Sequence, residues 1–224
     1  MVERIIVGPV RTNAYIVSTA KKECILIDPG AEGTRVLERL EVLNIHPRAI
    51  LFTHGHFDHI GGALEIRDHY EPAVPLGIHE QDAAFLGPDS RRLHEEMFEG
   101  LPEDIRESFR EQYVDLPQPD FYLRDGEQIL DTDLSVIHSP GHTPGSVCFY
   151  SEERSALFSG DTLFFKSVGT TDIPEASEKQ LLDTIRRRLF GLPPQTRLFP
   201  GHGPLSTLER EINNNPALRE PGTA

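Results

Sequence analysis

The chain has 224 residues, 38% hydrophobic and 26% charged, with 36 acidic against 22 basic side chains and a formal charge of −14. Such a length accommodates one large domain with a sizeable core. The acidic excess removes the electrostatic footing that nucleic acid rewards, so no nucleic-acid partner is expected.

The one basic run, Arg186–Arg187–Arg188, falls in a helical pattern and reads as a solvated face. No stretch has the apolar length of a membrane span, and the opening MVERIIVGPV lacks the basic-then-apolar pattern of a secretion signal. A cytoplasmic protein with no membrane partner is therefore expected. Cys24 and Cys148 sit in apolar runs, CILID and SVCFY, and read as buried free thiols.

In chain order, strand-like runs occupy residues 2–7, 15–18 and 24–28, the third broken by Pro29–Gly30. Val36, Leu37, Leu40 and Leu43 recur at helical spacing and predict an amphipathic helix over about 33–44, closed by Pro47. A strand at 49–53 runs out into THGHFDHIGG, and a helix starts at Ala63. Residues 81–113 are charged and helical, with Leu101, Ile105, Phe109 and Tyr113 on one face and breaks at Pro88 and Pro102. They read as a helical insertion covering part of the mouth of a site. Strands resume at 135–138, 147–150 and 156–159. A second amphipathic helix carries Leu181, Leu182, Ile185 and Leu189; a strand at 197–199 and a last helix at about 206–213 follow. Strand blocks closed by helices predict two sheets flanked by helices, in a single domain over 1–216 with a tail at 217–224.

Four strand ends share one chemical character. THGHFDHIGG, SPGHTPG, SGDT and PGHG each follow an apolar run and set a ligand-type residue beside glycine. Glycine permits sharp turns and close approach of a small ion. Together they offer His54, His56, Asp58, His59, His142, Asp161 and His202. Imidazoles and carboxylates in this ratio suit zinc above other divalent ions, with iron or manganese as alternatives. On an extended segment residues two apart point the same way. His54 and His56 can then share one metal, while Asp58 and His59 face a second. His46, His69, His79, His94 and His138 lack this setting and are assigned no metal role.

Thr-His-x-His-x-Asp-His, Gly-His-Thr-Pro-Gly, Gly-Asp-Thr and Gly-His-Gly in this order, with Asp28–Pro29–Gly30 before them, resemble the metallo-β-lactamase superfamily. The resemblance covers nearly the whole chain. It implies an α/β (α+β) fold, a four-layer αββα sandwich with metals at one edge of the sheets. It implies one metal on His54, His56 and His142, and another on Asp58, His59 and His202, with Asp161 bridging. Asp28 is either an outer carboxylate orienting a ligand histidine or a strand-end turn former.

Within the superfamily, GDTLF with the following Ser167–Val168–Gly169, and Glu211 before Asn215–Pro216, look like the glyoxalase II branch. That branch implies a small-molecule substrate, a thioester such as S-lactoylglutathione, hydrolysed by metal-bound hydroxide that Asp58 orients. Two departures bear on the thiol half. Thr170 stands where short bacterial relatives carry arginine, and the helical C-terminal part that grips glutathione is expected to be missing. Lys166 is a candidate substitute cation. Rival readings are a mononuclear iron persulfide dioxygenase using His54, His142 and Asp161, a phosphodiesterase, nuclease or lactonase of the same fold, and a non-catalytic binding module.

Overall fold

The computed structural model describes residues 1–19, 22–97, 99 and 103–219, with the backbone alone at 104, 105, 108 and 112. Internal packing divides the chain into two compact units, Met1–Leu123 and Arg124 onward.

The first unit opens with β1 (Val2–Val7) and β2 (Thr12–Ser18), an antiparallel hairpin pairing Val2 with Val17 and Val7 with Thr12. β3 (Glu23–Ile27) runs antiparallel to β2. Helix α1 (Gly33–Leu43) buries Val36, Leu37 and Leu40, the periodic residues, and stops at Asn44. Asn44 takes the left-handed conformation, φ 52°, and its N–H closes the last turn on the Leu40 and Glu41 carbonyls. β4 (His46–Leu51) then lies parallel to β3. Short helix α2 (Phe57–Ile60) and α3 (Ala63–His69) lead to β5 (Leu76–His79). A 3-10 turn (Glu80–Phe85), α4 (Ser90–Met97) and α5 (Glu103–Gln112) precede β6 (Phe121–Leu123). The six strands stand in the sheet in chain order. Leu26, Ile50 and Phe52 form a core with Val36 and Leu40 of α1 and Ala63 and Ile66 of α3.

The second unit contains β7 (Leu134–His138), β8 (Val147–Ser151) and β9 (Ala156–Gly160), an antiparallel meander. A small hairpin, β10 (Leu163–Phe164) and β11 (Ser167–Val168), follows. Helix α6 (Glu178–Thr184) continues as a π-helical turn over Ile185–Leu189. β12 (Arg197–Pro200) pairs parallel with β9, β13 (Ser206–Thr207) pairs with β12, and α7 (Leu208–Asn214) closes the unit. Leu157, Leu181, Ile185, Leu189, Leu198 and Leu208 form its core.

The elements differ from the sequence expectation in a few places. Pro47 lies inside β4 rather than before it. It pairs with Cys24 of β3, while β5 pairs with β4 only at Ile50 and Leu51. The other flank of Pro47 is therefore a sheet margin, where a missing N–H costs no ladder bond. β5 and β6, four and three residues long, are too short for periodicity to reveal. The 81–113 insertion resolves into the 3-10 turn, α4 and α5. Leu101, the Ile105 side chain and residues 220–224 of the expected tail lie outside the described residues. Among the described residues no helix is long and apolar enough to cross a membrane.

Fully buried Glu211 ties α7 to the β10–β11 hairpin. Its Oε2 accepts from the Lys166 backbone N–H at 2.7 Å and from Asn215 Nδ2 at 3.0 Å, and its Oε1 accepts from the Ser206 hydroxyl. Asn215 Nδ2 also reaches the Phe164 and Ser167 carbonyls at 3.3 and 3.0 Å. This accounts for the Glu211 and Asn215 signature: both hold the hairpin in place. Glu211→Ala strands several donors and is expected to lower the unfolding free energy by about 2–4 kcal/mol. Glu211→Gln, which keeps an acceptor, should lower it less. Urea denaturation of both variants checks this; equal losses would contradict the hydrogen-bonding role.

Candidate functional site

In the first unit the donors gather at the C-terminal ends of parallel β3 and β4. Ile27 is level with Leu51, and the Asp28 N–H donates to the Leu51 carbonyl at 3.1 Å. Asp28 adopts φ 51° and turns out of the strand, while its fully buried carboxylate reaches across to Thr53. Oδ1 accepts from the Thr53 N–H at 2.8 Å. Oδ2 accepts from the Thr53 hydroxyl at 2.7 Å and from His59 Nδ1 at 2.9 Å. Asp28 is thus a turn former and a ring holder at once.

The Thr53 hydroxyl, having given its proton to Asp28, faces His54 Nδ1 at 3.0 Å and accepts from it. That bond turns the lone pair of His54 to Nε2, which lies 3.0 Å from His56 Nδ1. His59, with Nδ1 committed to Asp28, presents Nε2 at 3.4 Å from Asp58 Oδ2. The same Asp58 oxygen accepts from the Thr12 hydroxyl at 2.8 Å, from the first residue of β2. His54, His56 and His59 are buried, while the Asp58 side chain is 15% exposed.

In the second unit, parallel pairing of β9 and β12 sets two more strand ends together. Phe158 is level with Phe199, and the Gly201 N–H donates to the Gly160 carbonyl at 2.8 Å. Asp161 and His202 follow, with His202 Nε2 at 3.5 Å from Asp161 Oδ2. His142 comes from the turn after β7, whose walls are joined by Ser139 N–H to the Ser146 carbonyl at 2.8 Å. Its Nδ1 donates to the Thr170 carbonyl at 2.8 Å, and its Nε2 points to Asp161 Oδ2 at 3.7 Å. Gly169 makes this possible: a Cβ there would lie 1.9 Å from the Asp161 carbonyl oxygen and 3.1 Å from His142 Nδ1. His142 is buried, whereas the His202 side chain is 27% exposed, its ring edge-on to Phe164 at 6.0 Å.

Each unit therefore holds its own donor cluster. Three imidazoles have Nδ1 fixed by an acceptor, which turns the Nε2 lone pair toward the other ligand-type side chains. This is the outer support that metal-ligating histidines characteristically receive. The donor set, imidazole nitrogens with carboxylate oxygens among them, fits borderline divalent metals.

The family model of the metallo-beta-lactamase superfamily matches residues 7–202. The chain belongs to the metallo-β-lactamase superfamily. It is similar to hydroxyacylglutathione hydrolase GloC of Haemophilus influenzae, with 33% identity over 220 residues, 97% of each chain. Among solved structures it is similar to the B3 metallo-beta-lactamase BLEG-1, with TM-score 0.86 and 34% identity over 98% of this chain and all of the other. It is also similar to TTHA1623 in a di-iron-bound form, with TM-score 0.79 and 36% identity over 96% and 98%. The fold is the metallo-β-lactamase fold, and the superfamily is one of metal-dependent hydrolases.

The other residues singled out from the sequence lie as follows. His46 and His69 are exposed. His79 is half-buried and caps the 3-10 turn, accepting from the Gln81 N–H. His138 Nε2 bonds the Pro144 carbonyl at 2.9 Å. Thr170 is exposed, and Lys166 is exposed at the β10–β11 turn with φ 60°. Burial pushes the Cys24 thiol up to about 12 and the Cys148 thiol up to about 11, so both are inert at neutral pH.

Sequence reasoning quotes Thr53 and Gly169 within motifs but misses their supporting roles, and it misses Thr12 and the Thr170 carbonyl altogether. Thr53 adjoins the histidine stretch and could have been found from its position. A main-chain carbonyl leaves no side-chain signature.

Proposed function

We propose that the chain is a binuclear metal-dependent thioester hydrolase of glyoxalase II type, acting on S-lactoylglutathione-like thioesters. The observation that carries the reading is the pair of donor clusters with pre-oriented imidazoles, found in a member of a hydrolase superfamily. The similarity to hydroxyacylglutathione hydrolase GloC over nearly the full length of both chains supports the substrate class.

In this reading His54, His56 and His142 hold one ion, Asp58, His59 and His202 the other, and Asp161 bridges them. Zinc is the ion proposed; the di-iron form of TTHA1623 favours iron as the alternative. The metals supply Lewis acidity and bring the pKa of a coordinated water close to neutrality. Asp58, tethered through the Thr12 hydroxyl, would orient the attacking water. The buried imidazoles keep their geometry without reorganising during the reaction. The leaving group is a thiolate, whose parent thiol has a pKa of roughly 8.5, so no strong general acid is required. Lys166 and Thr170 are proposed to face the thiol half of the substrate.

The zinc-loaded protein should release free thiol from S-lactoylglutathione, with no oxygen consumption on glutathione persulfide. Asp58→Asn is expected to lower kcat by about 10²- to 10⁴-fold, and His69→Ala should leave it unchanged. Oxygen uptake on the persulfide without thioester turnover would replace this reading by the iron dioxygenase one.

A second outcome concerns the thiol half. Thr170→Arg leaves the carbonyl that holds His142 in place and adds a cation. It should lower KM for the glutathione thioester by about 5- to 100-fold, the range of one charge-assisted hydrogen bond. KM for a thioester of a small neutral thiol should stay constant. Equal KM values for both proteins on the glutathione substrate would show that this loop does not read the thiol.

A further inference from the structure

We infer that Asp82 and His94, supplied by the helical insertion, are positioning residues that clamp the Gly55 peptide and thereby set the angle between the His54 and His56 imidazoles. The inference rests on the metal reading above and assigns the insertion a supporting role.

Three contacts from the insertion meet Gly55. Asp82, in the 3-10 turn, accepts from the Gly55 N–H through Oδ2 at 3.0 Å. His94, in α4, places Nε2 3.0 Å from the Gly55 carbonyl and Nδ1 2.8 Å from the Ser90 carbonyl. Phe85 fills the remaining side: a Cβ on Gly55 would lie 2.4–2.6 Å from Phe85 carbons. Both peptide groups flanking Gly55 are therefore fixed, one through its N–H and one through its C=O, and no side chain can be accommodated between them. These two groups carry the Cα atoms of His54 and His56, whose ring nitrogens lie 3.0 Å apart.

Burial makes the arrangement costly unless it serves a purpose. Asp82 and His94 are both at 0% exposure. A buried carboxylate is retained only where hydrogen bonds and neighbouring charge offset its lost hydration. Burial also holds His94 below the ordinary imidazole range, against the pull of the Ser90 and Gly55 carbonyls. Both ring nitrogens face carbonyl oxygens, Nδ1 that of Ser90 and Nε2 that of Gly55, and a ring protonated at Nε2 donates to Gly55. An aromatic cage keeps the ring in place: Phe109 stacks on it at 5.7 Å, and Phe85, Phe57 and Tyr113 pack around it at 5.1, 6.4 and 5.5 Å between centroids. Phe85 also meets the His56 ring edge-on at 6.0 Å. The insertion is thus joined to the backbone between two donor histidines by polar bonds and to one of their rings by an aromatic contact.

The test uses the zinc-loaded protein and two readouts: hydrogen exchange of the Gly55 amide followed by NMR, and the rate of zinc release to a chelator. Asp82→Ala should speed both by about 10- to 100-fold, the usual cost of removing an outer support of a metal ligand. Asp82→Asn, which keeps an acceptor oxygen, should stay near wild type. His94→Leu should speed zinc release, and His94→Gln, whose amide nitrogen replaces Nε2, should restore it. Because each conservative variant conserves fold and volume, misfolding of the alanine variant does not decide the matter. Unchanged Gly55 exchange in Asp82→Ala, or equal zinc release from the Asn and Ala variants, overturns the clamp. Faster Gly55 exchange with unchanged zinc release overturns the positioning role. If His54→Ala releases zinc at the wild-type rate, the metal reading itself falls, while Gly55 exchange still judges the clamp.

Discussion

The Asp28 carboxylate is the contact on which the donor cluster of the first unit depends. One buried group accepts three hydrogen bonds, from the Thr53 amide, the Thr53 hydroxyl and His59 Nδ1. Bonds to an ionised acceptor are roughly twice as strong as neutral ones, and in a dry setting they tolerate little movement. Through the Thr53 hydroxyl the same carboxylate reaches His54. Two imidazoles thus inherit their orientation from one residue. That residue is fixed in turn by the parallel pairing of β3 and β4 and by its own left-handed backbone. A residue that looked from the sequence like either a turn former or a ring orienter has to be the first in order to be the second.

The second unit meets the same requirement with main-chain atoms. Thr170 holds His142 through its carbonyl, and Gly169 leaves room for the approach. Parallel β9 and β12 deliver Asp161 and His202 as neighbours. The hairpin that carries Phe164 against His202 is held by buried Glu211 and Asn215. In both units the donor side chains range from fully buried histidines to partly exposed Asp58, Asp161 and His202. Rigid support on one side and access on the other is what a hydrolytic metal centre requires.

The candidate donors stand out in the sequence because metal chemistry narrows the residue types and strand ends demand glycine beside them. His54, His56, Asp58 and His59 lie within one short stretch, and His142, Asp161 and His202 each follow an apolar run. Apart from Asp28, the supports were not legible, for identifiable reasons. Thr12 lies 46 positions from the Asp58 it holds. Asp82 and His94 sit in a charged helical segment where such residues ordinarily face solvent, and only the fold shows them buried. The carbonyl of Thr170 has no side-chain code at all. Among the elements, the amphipathic helices announce themselves by Val36, Leu40, Leu181 and Ile185, whereas β5 and β6 offer too few residues for a period to show.

The proposed binuclear reading requires a pair of metal ions held by histidine and carboxylate. X-ray absorption at the metal edge, on protein whose metal content has been counted by elemental analysis, addresses it most directly. The account predicts two ions per chain, a first shell of nitrogen and oxygen dominated by imidazole, and scattering from a second metal nearby. A single ion without a metal neighbour, or a sulfur-containing shell, would contradict it.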